Sequence, residues 1–158
     1  MDEKRETLRH LLATVAYRGG KAVRGAPADF AAFRAGPTSR RPAEILAHVG
    51  DLYDWALSMA SGSEQWHDSQ PLDWDAEVDR FFHALAAFDA FLSSPQPLAC
   101  PVERLFQGPI ADSLTHVGQI ALLRRLAGSA VRGENYSRAD IVAGRVGREQ
   151  SPPRREFD

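Results

Sequence analysis

The stretch WDAEVDRFFHALAAFDAFL, residues 74–92, has the clearest periodicity in the chain. Its large apolar residues recur at intervals of three and four, which places them along one side of an α-helix. The residues on this stripe are Trp74, Val78, Phe81, Leu85, Phe88 and Leu92. A stripe of this kind is the buried seam of a helical bundle. The stretch therefore predicts a helix that packs against other helices.

Three further segments have helical periodicity, and they predict helices over residues 2–17, 42–60 and 110–127. A short fifth helix is predicted over residues 137–143. No run alternates with the period of a strand, so no strand is predicted. We therefore expect an all-α fold, a four-helix bundle with short additional helices. Residues 1–145 are expected to form this single domain, with a loosely ordered C-terminal tail over residues 146–158.

Composition limits the classes of function. The chain has 158 residues and a net charge of −2, which gives no basic surface for nucleic acid or membrane lipid. The N-terminal MDEKRETLRHLL lacks the apolar region of a signal peptide, and no apolar run is long enough for a membrane span. The single cysteine, Cys100, excludes an intramolecular disulfide and a cysteine-based zinc cluster. These features predict a cytoplasmic protein.

Three polar residues occupy helix faces that are otherwise apolar. His48 lies in helical phase between Ile45 and Leu52. Asp112 and His116 are four residues apart, so their side chains stack on one face of the fourth long helix. A buried carboxylate and imidazole need a partner, which is either a hydrogen bond between them or a shared metal ion. Near a helix start, Asp112 also fits the plainer role of a partner for the helix dipole.

His48, Asp112 and His116 would together supply three protein ligands. Three ligands and one open position are the usual arrangement of a catalytic zinc site, and two histidines with a carboxylate also suit ferrous iron. Zinc is the expected divalent metal, while nickel, manganese and ferrous iron stay open. Asp51, three residues after His48, is the candidate outer partner, a residue that would hydrogen-bond to a metal-binding histidine and orient it without contacting the metal. The other histidines, His10, His67 and His83, are expected to face solvent.

Two segments carry a family resemblance. RPAEILAHVGDLYDWAL, residues 41–57, and DSLTHVGQIALLRRLAG, residues 112–128, resemble the motifs of the DinB/YfiT-like superfamily of metalloenzymes. The first is similar to the pattern Pro-x-Glu-Ile-Leu-x-His, with His48 as the ligand. The second is similar to His-x-x-x-His-x-Gly-Gln-Ile, with His116 as its second histidine. The chain departs from the family in having Asp112 at the first histidine.

The resemblance implies a DinB-like bundle whose helices run up, down, down and up. It also implies a divalent metal held by His48, Asp112 and His116. Characterised members include transferases and isomerases that use low-molecular-weight thiols. The function implied is thus a metal-dependent enzyme that activates a water or such a thiol, for thiol transfer or hydrolysis of a small-molecule substrate. The alternative is a non-catalytic helical dimerisation or binding module with a degenerate metal site.

A second apolar stripe, Leu114, Val117 and Ala121, follows the fourth long helix. A helix that is apolar on two faces must be covered twice. The first helix or a second copy of the chain would provide that cover, and we predict a homodimer.

Overall fold

A computed structural model describes residues 2–158 and is mostly helical. The helices are α1 (Glu3–Val23), α2 (Pro42–Ser61), α3 (Trp74–Ser93), α4 (Val102–Leu105) and α5 (Ala111–Leu126). Two short strands, β1 (Gly133–Glu134) and β2 (Glu156–Phe157), form an antiparallel pair. Single 3₁₀ turns lie at Phe30–Ala32 and Tyr136–Arg138. The body of the molecule is helical, as the sequence predicts.

The long helices surround one apolar core. Helix α1 packs against α3 and α5, and α2 packs against the same two helices. The predicted seam of α3 lies at the centre of this core, where Phe81, Leu85, Phe88 and Leu92 have no exposed surface. The periodicity of residues 74–92 thus predicts the buried face of α3 correctly.

Contacts between side chains give the relative directions of the helices. Arg5, at the start of α1, donates to the carbonyl of Leu92, at the end of α3, so these helices run in opposite directions. Arg80, early in α3, donates to the carbonyl of Ala47, early in α2, at 3.1 Å. The later residues Tyr53 and Phe88 also meet, so α2 and α3 run in the same direction. Contacts between α2 and α5, given below, show that these two run in opposite directions.

Gly19 and Gly20 weaken the predicted helix after residue 17 and leave open a kinked last turn over residues 21–25; in the structure they do not interrupt α1. Both glycines are buried inside the helix, which continues to Val23. A Cβ atom added at Gly19 would lie 2.6 Å from the ring of Phe81. Gly19 therefore provides close approach between α1 and α3, a role that local helix propensity cannot reveal.

Helical backbone begins before α5. Residues 106–110 form a π-helical turn that joins α4 to α5 without a break. Pro109 lies inside this turn, where a missing amide hydrogen is tolerated because the regular bonding pattern is already interrupted. The predicted start of the fourth long helix at residue 110 is thus correct only for its regular α-helical part.

The C-terminal segment returns to the body of the molecule. The carboxylate of Glu134, in β1, accepts hydrogen bonds from Tyr17 and Lys21, each at 2.8 Å. Lys21 also donates to Glu156, in β2, at 2.8 Å. These contacts attach both strands to α1. The sequence predicts no strand at either place, and β2 lies within residues 146–158, for which it predicts a loosely ordered tail. The short helix predicted over residues 137–143 is wrong: a single 3₁₀ turn stands there.

Two expectations about the faces of α5 have definite outcomes. Val117, in the second apolar stripe, is buried and faces Gly19 of α1, so the chain's own first helix covers it. In helical phase Arg124 lies away from Asp112 and His116, so the sequence predicts an outward side chain; in the structure it is buried and donates to the carbonyl of Ala22 at 2.9 Å. The homodimer stays a prediction. Within residues 2–158, no helix is both long enough and apolar enough to cross a membrane.

Candidate metal centre

His48 on α2 meets Asp112 and His116 on α5. The two oxygens of Asp112 face different imidazoles: Oδ2 lies 3.3 Å from Nε2 of His48, and Oδ1 lies 3.4 Å from Nε2 of His116. The imidazole rings meet edge to face, with centroids 4.7 Å apart. The structure thus brings together all three residues that the sequence selects. We call them the His–Asp–His cluster.

The spacing of these atoms fits a shared cation. One potential ligand atom from each residue lies within 4.8 Å of the other two. Two ligands about 2.1 Å from a tetrahedral zinc ion are themselves ~3.4 Å apart, which is close to both aspartate–histidine distances. Two imidazoles and a carboxylate are also a donor set that zinc and other divalent transition metals accept. The residues present therefore fit the metal that the family resemblance implies.

Gln119 sets the orientation of His116. Nδ1 of His116 lies 2.8 Å from Oε1 of Gln119, one turn further along α5. An amide oxygen only accepts, so Nδ1 carries the hydrogen and the lone pair of a neutral ring is on Nε2. This lone pair is directed to the side of the ring that faces Asp112. Metal-binding histidines are commonly oriented in this way, by a hydrogen bond at the second ring nitrogen.

Aromatic side chains flank His48. The ring of Trp66 meets the imidazole edge to face, with centroids 5.5 Å apart. Trp66 in turn meets Trp55, with centroids 5.8 Å apart. Trp66 belongs to the irregular segment of residues 63–73, which places this segment beside the cluster. Trp55 and Trp66 thus lie near the site.

A buried hydrogen bond next to the cluster sets the register of α2 and α5. The hydroxyls of Tyr53 and Ser113 are 2.5 Å apart, and Ser113 donates to the carbonyl of Ile110 at 2.8 Å. Burial raises the pKa of Tyr53, so the phenol stays protonated and donates to Ser113. Tyr53 is completely buried and packs in the core. The sequence does not indicate Ser113 as a site residue. Its only feature in the sequence is that it is polar and follows Asp112.

Asp112 does not lie at the start of a helical segment, so the helix dipole does not explain its presence. Leu105, Phe106, Ile110 and Ala111 all have helical backbone angles, so the chain is helical for more than two turns before Asp112. The amide groups ahead of Asp112 are therefore inside a continuous helical segment, whereas the dipole effect is confined to the first turn.

A second acidic group lies one turn further along α2. Asp51, Asp54 and His67 also bring ligand atoms within 4.8 Å of one another. Here, however, the guanidinium of Arg80 donates to Asp51 and, at 3.2 Å, to Asp54. Ser69 completes the shell of Asp51, donating from its backbone nitrogen at 2.9 Å and from its hydroxyl at 2.7 Å. We call these residues the Arg80 cluster.

The Arg80 cluster corrects the role predicted for Asp51. Asp51 forms its contacts with Arg80, Ser69 and His67, so it is not the outer partner of His48. Burial alone would raise the pKa of Asp51, but the hydrogen bonds from Ser69 and Arg80 outweigh burial and hold that pKa below its usual value. Asp51 is thus an ionised carboxylate with its countercharge in place.

The remaining histidines lie apart from the His–Asp–His cluster. His10 and His83 are exposed, as expected. His67 is also exposed, but its ring contacts the carboxylates of Asp51 and Asp54, at 3.3 Å and 3.1 Å. His67 therefore belongs to the Arg80 cluster and does not join the predicted ligands.

Shallow grooves open on the His–Asp–His cluster. One groove, with a volume of about 490 Å³, is lined by both histidines. Another, of about 420 Å³, is lined by Asp112 and Trp55. The ligand atoms are thus accessible from outside, consistent with side-chain exposures of 23% for His48, 12% for His116 and 45% for Asp112.

Comparison of the chain with protein-family models, with curated proteins and with solved structures finds no match. The case for a function therefore depends on the geometry of the site and on the sequence motifs.

Proposed function

We propose that this chain is a divalent-metal-dependent enzyme whose metal is held by His48, Asp112 and His116. The observation that carries the proposal is the arrangement of Asp112, whose two oxygens face the Nε2 atoms of two histidines on different helices. Zinc is the expected metal, and nickel, manganese and ferrous iron are the alternatives.

The exposure of Asp112 favours a metal site over a structural polar contact. A buried acid–base pair gains stability because its partners have no other source of hydrogen bonds. Nearly half of the Asp112 side chain is exposed, so water could satisfy this carboxylate without either histidine. An exposed pair of this kind contributes little to folding. Its placement between two imidazoles is better explained by binding.

The residues of the chain define what the site would do. A divalent metal bound there would lower the pKa of a water or thiol at its open position. Gln119 fixes the tautomer and the plane of His116. The Tyr53–Ser113 hydrogen bond holds α2 against α5, so His48 and Asp112 keep their separation. Trp66 packs against one side of the His48 imidazole. The reaction we propose is thiol transfer or hydrolysis of a small molecule.

The helix directions support the proposed DinB-like assignment. The contacts of Arg5, Arg80 and His48 describe the order up, down, down, up for α1, α2, α3 and α5. This is the order that the family resemblance implies. It puts His48 and His116 on helices that are neighbours in space although far apart in the chain.

Metal analysis of the full chain, purified without a histidine tag, tests the proposal. We expect one equivalent of a divalent metal, either co-purified or taken up from solutions of zinc, nickel, manganese or anaerobic ferrous iron. His116→Ala is expected to lose this metal, and His83→Ala is the matched control because it removes an exposed histidine outside the cluster. Less than a tenth of an equivalent under all of these conditions would contradict the proposal.

A further inference from the structure

The groove beside the two histidines combines apolar, cationic and imidazole side chains. It is lined by Arg40, Ile45, His48, His116, Gln119 and Leu122, among others. Leu122 is 56% exposed although it is a large apolar residue. Ile45 lines the same groove. The groove thus combines apolar side chains with two of the candidate metal ligands and one arginine. We call it the Arg40 groove.

Arg40 is a cation without a partner. Within residues 2–158 its guanidinium forms no ion pair and no hydrogen bond, whereas most other arginines near the site are paired. Arg41 pairs with Glu44 at 2.8 Å, and Arg80 pairs with Asp51. Glu44 and Asp51, the acidic residues closest along α2, therefore already have cationic partners. The charge of Arg40 remains available to a ligand.

The backbone on both sides of Arg40 is held in place. The hydroxyl of Ser39 accepts hydrogen bonds from the amides of Ala35 and Gly36, at 3.0 Å and 3.1 Å. On the other side, the amide of Arg41 donates to Glu44 at 2.7 Å, in the capping box of α2. A fixed backbone lowers the entropy lost when the side chain binds an anion. The backbone of Arg40 is thus fixed, while its guanidinium has no partner among the described residues.

We propose that the Arg40 groove binds a small carboxylic acid with an apolar body, which is the substrate class of the metal site. The guanidinium of Arg40 would bind the carboxylate through paired hydrogen bonds. The apolar body would lie on Ile45 and Leu122, and the reactive part would face His48 and His116. The amide nitrogen of Gln119 would remain free to donate to the ligand, because only its oxygen is used by His116.

A carboxylate suits this groove better than a phosphate. Phosphate sites usually combine several cations or the free amides at a helix N-terminus. Arg40 is a single cation, and the N-terminus of α2 is already capped by Glu44. A volume of about 490 Å³ also lies in the range of sites for small organic ligands.

This inference rests on the proposed function, so its test uses metal-free protein, in which no metal ion competes with Arg40 for the carboxylate. The probes are hexanoate, 1-hexanol and inorganic phosphate. Binding is followed by the backbone amide signals in a two-dimensional ¹H–¹⁵N NMR titration. We expect hexanoate to shift the signals of groove residues more strongly than 1-hexanol does, and inorganic phosphate to leave them unchanged. Failure of metal uptake would not affect this result.

Two pairs of variants separate the charge from the apolar surface. Arg40→Gln is expected to weaken hexanoate binding by about tenfold and to leave 1-hexanol binding unchanged. Arg125→Gln, which removes an exposed arginine outside the groove, is the control. Leu122→Ser is expected to weaken both hexanoate and 1-hexanol by about threefold. Leu126→Ser is its control, because Leu126 has the same exposure of 56% and does not line the groove.

Several results would overturn the inference. Equal weakening of hexanoate by Arg40→Gln and Arg125→Gln would show a nonspecific charge effect. Stronger binding of inorganic phosphate than of hexanoate would assign the groove to a different anion. Signal shifts confined to residues outside the groove would place the ligand elsewhere. Circular dichroism of each variant confirms that the exposed substitutions leave the helices intact.

Discussion

Two clusters of histidine and aspartate lie one turn apart on α2, and their carboxylates differ in exposure and in the groups that they contact. Both bring three potential ligand atoms within 4.8 Å of one another. In the Arg80 cluster, Asp51 is only 3% exposed and its charge is balanced by Arg80. In the His–Asp–His cluster, Asp112 is 45% exposed and its nearest partners are two imidazoles.

The difference shows that closeness of ligand atoms does not by itself define a metal site. A guanidinium already pairs with both carboxylates of the Arg80 cluster, and a metal ion would have to displace it. The His–Asp–His cluster has no such resident cation among the residues described, and Gln119 leaves the lone pair of His116 directed at Asp112. The first cluster therefore stabilises the fold, and the second is the one suited to binding.

The largest expected effect separates the clusters by metal affinity. Asp112→Ala and His116→Ala each remove a ligand, so metal affinity should fall by more than the roughly 10- to 100-fold that loss of an outer partner costs. Asp54→Ala and His67→Ala remove the equivalent residue types from the Arg80 cluster and should leave the affinity unchanged. Competition with a chromophoric chelator measures all four variants. Equal losses from both clusters would remove the distinction.

The second prediction concerns stability. Arg80→Met leaves the buried carboxylate of Asp51 without its countercharge, which should lower the free energy of unfolding by about 3 kcal/mol. Arg125→Met, at an exposed position, should change it by less than about 0.5 kcal/mol. Chemical denaturation measures both. A loss below about 1 kcal/mol for Arg80→Met would mean that Ser69 alone satisfies Asp51.

The third prediction concerns the outer partner of the candidate metal site. Gln119→Leu removes the acceptor that fixes Nδ1 of His116, so metal affinity should fall by about tenfold. Because Gln119 is exposed, the free energy of unfolding of the metal-free protein should be nearly unchanged. Gln96→Leu, at an exposed glutamine that lines neither groove beside the cluster, is the control. If both glutamine variants bind metal as the unmodified chain does, the orientation of His116 does not depend on Gln119.

The smallest effect is the pH dependence of the Arg80 cluster. The folded-state pKa of Asp51 lies below its ordinary value of 3.8, so folding is stabilised while the carboxylate is ionised. That stabilisation is present above the ordinary value and is lost as the pH falls through the folded-state pKa. The difference in unfolding free energy between the unmodified chain and Asp51→Asn should therefore shrink below about pH 4. A difference that stays constant down to about pH 2 would contradict this assignment.

The sequence predicted the main helices and the candidate ligands because both leave local signals. The stripe of α3 recurs every three or four residues, and Asp112 and His116 are one turn apart. It failed where the deciding partner is remote in the chain. Helix α1 continues through Gly19, where the ring of Phe81 packs against the backbone. Asp51 binds Arg80 and Ser69 and not His48, because those two residues lie beside it in the fold.

By itself, then, the sequence determined the helical periodicity, the net charge of −2 and the identity of three polar residues on apolar faces. Only the tertiary structure decided that His48 meets Asp112, since the two are 64 positions apart and their contact depends on the packing of α2 against α5. The tertiary structure also decided that Asp51 and Asp54 have a cationic partner, Arg80, whereas Asp112 has only imidazoles beside it. Side-chain pairing depends on distance in space, and the order of residues along a chain does not specify that distance.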